Sequence, residues 1–222
     1  MQKFHTPAAI SAVLDVPAGL VRFVAGDRAD TTVEVRPANA SKSRDVKAAE
    51  QTTVAYVDGV LRISAPEADK QYFGPSGSVE VTVQLPAGSR VEAKTAGGAF
   101  RGIGRLGDVG FDGAHGAVEI EEAASARVAT QAGDVSVGRL DGSAEISTAK
   151  GDIRIAEAAG GTLVLRTRAG DISVGVAAGV SAALDAGTDY GRIHNSLKNA
   201  EGAAGLTIRA TTAHGDITAR SL

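Results

Sequence analysis

Apolar and polar residues alternate in short runs along most of the chain. Val128 and Thr130 alternate with Ala129 and Gln131, and a similar run begins again at Val135 after a break. A period of two over a short run is typical of half-buried β-strands, because successive side chains of a strand point to opposite faces. The pattern therefore predicts an all-β protein built from many short strands.

A short phrase returns at intervals of 17 to 24 residues from residue 95 onwards. Its fixed point is a glycine, with threonine three places earlier in six of seven copies and an apolar residue two places later in every copy. In four copies an aspartate directly follows the glycine. The glycines are Gly98, Gly116, Gly133, Gly151, Gly170, Gly191 and Gly215, and the aspartates are Asp134, Asp152, Asp171 and Asp216.

Each copy predicts a strand, a bend at the glycine, a second strand and a short return. A unit of two strands cannot bury its own apolar face, whereas stacked units bury a continuous core. Equivalent strands would then lie over one another at a spacing of about 4.8 Å. We therefore expect a parallel β-helix or β-roll of about seven rungs. The rule for parallel crossover connections predicts that it is right-handed.

Every residue of the phrase has a structural use. Glycine permits a positive φ or a close backbone approach at the bend. Aspartate accepts hydrogen bonds from nearby backbone N–H groups in an Asx-type turn, and a column of threonines would form a ladder with hydroxyls that pair between rungs. We interpret the glycines and aspartates as structural corners of the repeat.

Residues 1–90 are also β-rich but lack the phrase. The pair Asp58-Gly59 lies between two apolar runs and predicts a two-residue hairpin, and the polar segment 41–51 is a candidate for a short helix or a loop. Because the ends of a stacked coil need protection, we expect residues 1–90 to form an antiparallel cap on the first rung. Cap and repeats would form one elongated domain over residues 1–222.

Two adjacent aromatics, Tyr72 and Phe73, lie in a predicted loop over residues 66–78. Exposed aromatics of this kind anchor interfaces, so these two residues are candidates for contact with a partner. The alternative is that one of them packs against the cap.

Composition narrows the classes of function. The chain has 222 residues and a net charge of −3, which does not suit a nucleic-acid-binding surface. The absence of cysteine excludes disulfides, zinc–thiolate sites and thiol nucleophiles. The first nineteen residues contain no apolar run long enough for a signal peptide or a membrane span, which predicts a cytoplasmic protein without membrane insertion.

The turn Leu85-Pro86-x-Gly88, followed by serial Thr-x-x-Gly-Asp units, resembles a known family. Nearly the whole chain is similar to the bacterial putative-adhesin family of β-strand-repeat proteins, a domain of unknown function. The resemblance implies a β-repeat fold and an adhesin-like role, and it brings no catalytic motif. Many relatives are secreted or membrane-anchored.

A calcium site and an enzyme are the alternatives for the aspartate column. Calcium needs 6–8 oxygen ligands, whereas most rungs here offer one carboxylate after a single glycine. Asp134 and Asp152 would lie near the separation of about 5 Å used by retaining glycosidases. Every neighbouring pair in the ladder would share that spacing, and long loops that could wall a cleft are absent before the last two returns.

The sequence thus favours a non-enzymatic scaffold that binds an unidentified protein or polymer through its extended faces. A carbohydrate-active lyase or glycosidase on the same coil is the alternative, and we expect no cofactor or metal. No capping segment follows the last unit. Either residues 195–205 cover the exposed edge, or copies of the chain associate end to end.

Overall fold

The computed structural model describes residues 1–65, 77–199 and 204–222, in which the chain forms eighteen strands and one helix. Tyr72 and Phe73 lie outside the described residues. The first elements are β1 (Gln2–His5), β2 (Ser11–Gly26), β3 (Asp30–Pro37), α1 (Ser43–Gln51), β4 (Thr53–Val57), β5 (Val60–Ser64), β6 (Val79–Pro86), β7 (Arg90–Gly97), β8 (Phe100–His115) and β9 (Val118–Ala132). The others are β10 (Val135–Leu140), β11 (Ala144–Lys150), β12 (Ile153–Ala158), β13 (Gly161–Ala169), β14 (Ile172–Val176), β15 (Ala182–Tyr190), β16 (Ile193–Ser196), β17 (Leu206–His214) and β18 (Ile217–Ser221).

The protein is all-β, as the alternation predicts, and its repeats pair in parallel. β11 lies between the second half of β9 and β13, with Thr148 opposite Thr130 on one side and Thr167 on the other. β10 lies in the same way between the first half of β9 and β12. Each repeat thus gives one strand to each of two faces. We call the two strands that meet at one glycine corner a layer.

The core lies between the two faces and is mostly aliphatic. Val128, Ile146 and Leu165, which follow one another in register, are each at most 1% exposed. Full burial of such a side chain contributes about 1.5–3 kcal/mol. Each new layer therefore adds buried area to the layer before it.

Residues 1–90 differ from the antiparallel cap that the sequence predicts. β2 pairs in parallel with β5, β6, β7 and β8 and forms a layer of its own. Antiparallel pairs do occur further out, between β1 and β3, β3 and β6, and β4 and β5. The reason lies at Gly19, where φ is +137° and a Cβ would lie 1.7 Å from the carbonyl oxygen of Val79. Gly19 makes the same close corner without the rest of the phrase.

The two local predictions for this region are confirmed. The polar segment contains the helix α1, which packs against β3 and β6. Asp58 and Gly59 have φ of 50° and 78° and join β4 to β5 with Val57 opposite Val60, which is a two-residue hairpin. No helix in the described ranges is both long and apolar enough to cross a membrane.

The spatial order of the layers differs from their order in the chain. β17 lies between β13 and β15, and β18 lies between β14 and β16. The unit that is last in the sequence is therefore inserted between two earlier ones. The exposed end of the stack is formed by β15 and β16, contrary to the expectation that the last unit in the sequence leaves an open edge.

Candidate functional site

The glycine corners form a single file along the molecule. A Cβ on Gly151 would lie 2.2 Å from the carbonyl oxygen of Gly133, and every neighbouring pair in the file has a comparable contact. Only glycine allows backbones to approach so closely. In spatial order the file contains Gly19, Gly98, Gly116, Gly133, Gly151, Gly170, Gly215 and Gly191. All of the repeat glycines except Gly191, in the outermost layer, have φ between +130° and +153°.

The corner aspartates connect the layers. Oδ1 of Asp134 accepts a hydrogen bond from the backbone N–H of Asp152 at 2.9 Å, and Oδ1 of Asp152 accepts one from Asp171 at 2.8 Å. Asp171 accepts from the N–H of Asp216 at 2.7 Å, and Asp216 accepts from Arg192 at 2.8 Å. The sequence predicts a local Asx-type turn, whereas these bonds join neighbouring layers.

The threonine column bonds to the same corners. Oγ1 of Thr167 donates to the carbonyl oxygen of Gly151 at 3.0 Å, and Oγ1 of Thr212 donates to that of Gly170 at 3.1 Å. Thr148 and Thr188 bond corner glycine carbonyls in the same way, whereas Thr95 and Thr130 donate to other backbone carbonyls. The hydroxyls thus bond backbone carbonyls instead of pairing with one another. The described residues contain no group of three or more His, Cys, Asp or Glu side chains that could hold a metal ion.

A groove of about 690 Å³ crosses the face formed by β7, β8, β9, β11 and β13. It combines short side chains with charged ones of both signs. We call it the charged groove, and its lining includes Arg90, Glu92, Asp108, Gly110, Ser125, Arg127, Ser143, Glu145, Thr162 and Arg166. Its charged and hydroxyl side chains come from outward-facing positions of several layers, and repeat proteins commonly bind partners through such extended surfaces.

The carboxylates inside the charged groove are all bonded. Glu145 lies 3.6 Å from Arg127 and 4.0 Å from Arg166, measured between carboxylate oxygen and guanidinium nitrogen. Asp108 accepts a hydrogen bond of 2.6 Å from the hydroxyl of Ser125. These pairs connect neighbouring side chains across four layers.

One edge of the charged groove carries a further ion pair. The carboxylate of Glu92 accepts a hydrogen bond from the guanidinium of Arg90, and this bond raises the pKa of Arg90 above its usual value. Glu92 is therefore paired with a permanent cation.

A smaller depression of about 390 Å³ lies on the opposite face. Its two carboxylates are also bonded: Glu119 lies 3.0 Å from Arg101, and Glu121 accepts a hydrogen bond of 2.8 Å from the backbone N–H of Gly104. Each carboxylate that lines either depression therefore has a cation or a hydrogen-bond donor beside it.

The fold is similar to that of proteins named as adhesins. A putative adhesin from Bacteroides fragilis is 15% identical with a TM-score of 0.59, and the match covers 98% of this chain and 95% of that chain. A putative cell adhesion protein from Clostridium sporogenes is 10% identical with a TM-score of 0.44, and the match covers 100% of this chain and 98% of that chain. At 15% identity the first likeness shows the fold alone.

The comparison with curated proteins finds no match. The model of the Toastrack DUF4097 family matches residues 105–220, which is more than half of the 222 residues. The matched part begins within β8 and contains the later glycine corners and the whole aspartate ladder. This chain belongs to the Toastrack DUF4097 family.

Proposed function

We propose that this protein is a non-enzymatic, adhesin-like scaffold that binds a protein or a polymer through its extended faces. The observation that carries the proposal is that all carboxylates lining the two depressions are bonded to a cation or to a hydrogen-bond donor. A general acid or base is held within hydrogen-bond reach of the substrate, whereas these carboxylates are directed to partners within the protein itself. Paired charges on a rigid face suit recognition instead.

The architecture supports the same role. We infer that the layers form a right-handed parallel β-helix of about seven rungs, in which the parallel registers and the file of glycines support the stacking and the crossover rule supports the hand. Such a coil offers long faces with a regular spacing between side chains. The similar protein from Bacteroides fragilis is itself named a putative adhesin.

The charged groove indicates what kind of partner would fit. Arg127 and Arg166 flank Glu145, and hydroxyls of Ser143 and Thr162 line the same groove. A partner with charges of both signs, or a polymer rich in hydroxyl groups, would match this mixture. Charge complementarity of this kind contributes to specificity and to the rate of association.

Affinity capture with a charge-reversed groove tests the proposal. The wild-type chain and the double variant Arg127→Glu, Arg166→Glu would be used as baits in extracts of the source organism, with Arg36→Glu, Arg62→Glu as a control of equal charge change outside both depressions. We expect a protein or polymer that the wild type and the control recover and the groove variant loses. Equal recovery by all three baits would contradict binding through this face.

A direct assay addresses catalysis. Purified protein incubated with a panel of polysaccharides should release no new reducing ends and no unsaturated sugars. Release of either product by the wild type, together with its loss in Glu145→Gln, would overturn the non-enzymatic role.

A further inference from the structure

The outermost strands differ between the two ends of the stack. At one end the reversed strands β1 and β4 lie outermost, and the rings of Phe4 and Tyr56 meet across the core with centroids 5.5 Å apart. At the other end, in the described residues, β15 pairs only with β17 and β16 only with β18, so both strands present an open edge. An open edge is a template for another strand unless it is protected.

At one position of this edge, a side-chain carboxamide makes the hydrogen bonds that a neighbouring strand would make. The carboxamide of Asn199 accepts a hydrogen bond from the N–H of Ala182 at 2.8 Å and donates one to the carbonyl oxygen of Ala182 at 2.9 Å. The carbonyl of Ser181 faces the other way, toward the N–H groups of Gly205 and Leu206. Ala182 therefore directs its backbone groups to the open side.

The next open positions follow from strand alternation. Successive residues of a strand direct their backbone groups to opposite edges, so Leu184 and Ala186 face the same side as Ala182. Within the part of the chain that the structure describes, neither backbone has a partner on that side. These two residues provide a short row of donors and acceptors next to the position that Asn199 occupies.

The same edge leaves core positions half covered. Leu184 and Ala186 are partly buried, whereas Ile208 and Ala210, opposite them in the next layer, are 0% exposed. Ile193 on β16 is 45% exposed. A strand added beside β15 would complete the burial of these positions, provided that its inward side chains are apolar.

The charges on β15 indicate which side chains would suit the outward face of a strand added beside it. β15 carries Asp185 and Asp189, both exposed, and no basic residue. Charges of opposite sign are neighbours across the layers of this face, since Asp185 lies opposite Arg209, and Arg127 pairs with Glu145 in inner layers. A basic side chain beside Asp185 would continue that order, because opposite charges on neighbouring strands stabilise a sheet.

We propose that the open edge of β15 binds an extended segment of a partner protein, apolar on one face and bearing lysine or arginine on the other. The segment adds a strand to the sheet: main-chain hydrogen bonds to Leu184 and Ala186 hold it, and Asp185 selects its basic residues. This proposal gives the scaffold of the previous section a specific partner class at a site separate from the charged groove.

Fluorescence anisotropy with a labelled octapeptide of alternating lysine and valine tests the site. Ala186→Pro removes an N–H that faces only the open edge, and edge strands tolerate proline in such positions. We expect this variant to weaken binding about tenfold, whereas Ala186→Ser, which keeps the N–H, should bind like the wild type. Circular dichroism melting curves of both variants verify that they are folded.

Charge reversal provides the second arm. Asp185→Lys should weaken binding of the lysine peptide and strengthen binding of a matched octapeptide of alternating glutamate and valine. No saturable binding of the lysine peptide to the wild type, or equal binding by a folded Ala186→Pro variant, would overturn the edge site. Self-association of the wild type that Ala186→Pro abolishes would also overturn it, since the occupant would then be a second copy.

Different variants test the groove and the edge, so either proposal can be refuted without the other. The groove variant Arg127→Glu, Arg166→Glu should bind the lysine peptide as the wild type does, because neither residue lies on β15. Ala186→Pro should in turn keep any partner that depends on the groove. A loss of peptide binding in the groove variant would contradict the edge site and leave the groove as the only binding surface.

Discussion

Replacement of one corner glycine tests whether close stacking of the layers holds the fold. Gly98 has φ of +152°, and a Cβ there would lie 1.7 Å from the carbonyl oxygen of Gly19 in the next layer. Its neighbour Gly97 has no atom within 4 Å of the equivalent position. Alanine also occurs in register with Gly97, at Ala18. Gly98→Ala and Gly97→Ala therefore make the same chemical change one residue apart.

The cost of Gly98→Ala follows from the contact. Carbon and carbonyl oxygen that are not bonded approach to roughly 3.3 Å, so the two layers would have to separate locally by about 1.6 Å. A backbone conformation unsuited to alanine costs about 1–3 kcal/mol, and overpacking costs about 1–3 kcal/mol more. We expect a loss of about 2–6 kcal/mol, which at about 2–4 °C for each kcal/mol lowers Tm by on the order of 10 °C.

Thermal and urea unfolding followed by far-ultraviolet circular dichroism measures both variants, since the chain has no tryptophan. Gly97→Ala should stay within about 1 kcal/mol of the wild type, with a small gain in stability because alanine restricts the unfolded chain. If Gly98→Ala and Gly97→Ala have the same Tm, the close contact at the corner does not hold the layers in place. The interpretation of the repeat glycines as structural corners would then be wrong.

Four further predictions follow. Asp152→Ala should lower the free energy of unfolding by about 1 kcal/mol through loss of the bond from the N–H of Asp171, and Asp152→Asn, which keeps an acceptor, should cost less in the same urea titration. Thr167→Val should also cost about 1 kcal/mol, because the buried Thr167 side chain loses its hydrogen bond to the carbonyl of Gly151 at nearly constant shape. Side-chain hydrogen bonds from Arg28 and Lys3 lower the pKa of Asp30 from 3.8 to about 2. The ionised Asp30 therefore stabilises the fold above pH 3.8, and this stabilisation is lost as the pH falls through 2. Asp30→Asn should flatten the fall of Tm in that range. EDTA and added calcium should leave Tm unchanged, and a calcium-dependent rise would contradict the structural role of the aspartates.

The repeat could be predicted from the sequence because its determinants are local. A glycine corner, a threonine before it and an apolar residue after it fix the geometry of a layer, and all three recur in every copy but one. The exception among the threonines also has a local cause. Gly113 takes the place of threonine where a Cβ would lie 2.7 Å from the ring of Phe111, which fills that space.

The layer formed by β2 could not be predicted from the phrase. Val16 and Leu20 stand where threonine and aspartate stand in other copies, and only Gly19 and the apolar Val21 remain. The corner needs the glycine for steric reasons, whereas the other two residues add hydrogen bonds that a buried inner layer can lack. A search that required only the glycine and the apolar residue would have included β2.

The surfaces that we propose for binding could not be predicted for a different reason. The charges of the charged groove lie on outward-facing residues, which the core does not constrain and which show no pattern within one copy. Register makes them neighbours: Arg127 and Glu145 are 18 residues apart in the sequence and occupy paired positions on adjacent strands. The candidates proposed from sequence, Tyr72 and Phe73, lie outside the described residues and stay a prediction.

Arg192 is the one cation among the residues that follow the seven repeat glycines. Each corner carboxylate accepts a hydrogen bond from a backbone N–H of the next layer, and Asp216 accepts one from the N–H of Arg192. Among the residues that the structure describes, the layer of Arg192 is outermost, so an acid there would have no N–H of a further layer to accept. The guanidinium instead lies 3.5 Å from the second carboxylate oxygen of Asp216 and neutralises the last carboxylate of the aspartate ladder.

Inner layers can also lack the aspartate, as Ala99 and Ala117 show. The absence of the acid therefore does not by itself mark the end of the stack, whereas a cation in its place ends the series of aspartate hydrogen bonds. The insertion of the last unit follows the same logic, because Asp216 can accept the N–H of Arg192 only when its layer lies inside that of Gly191.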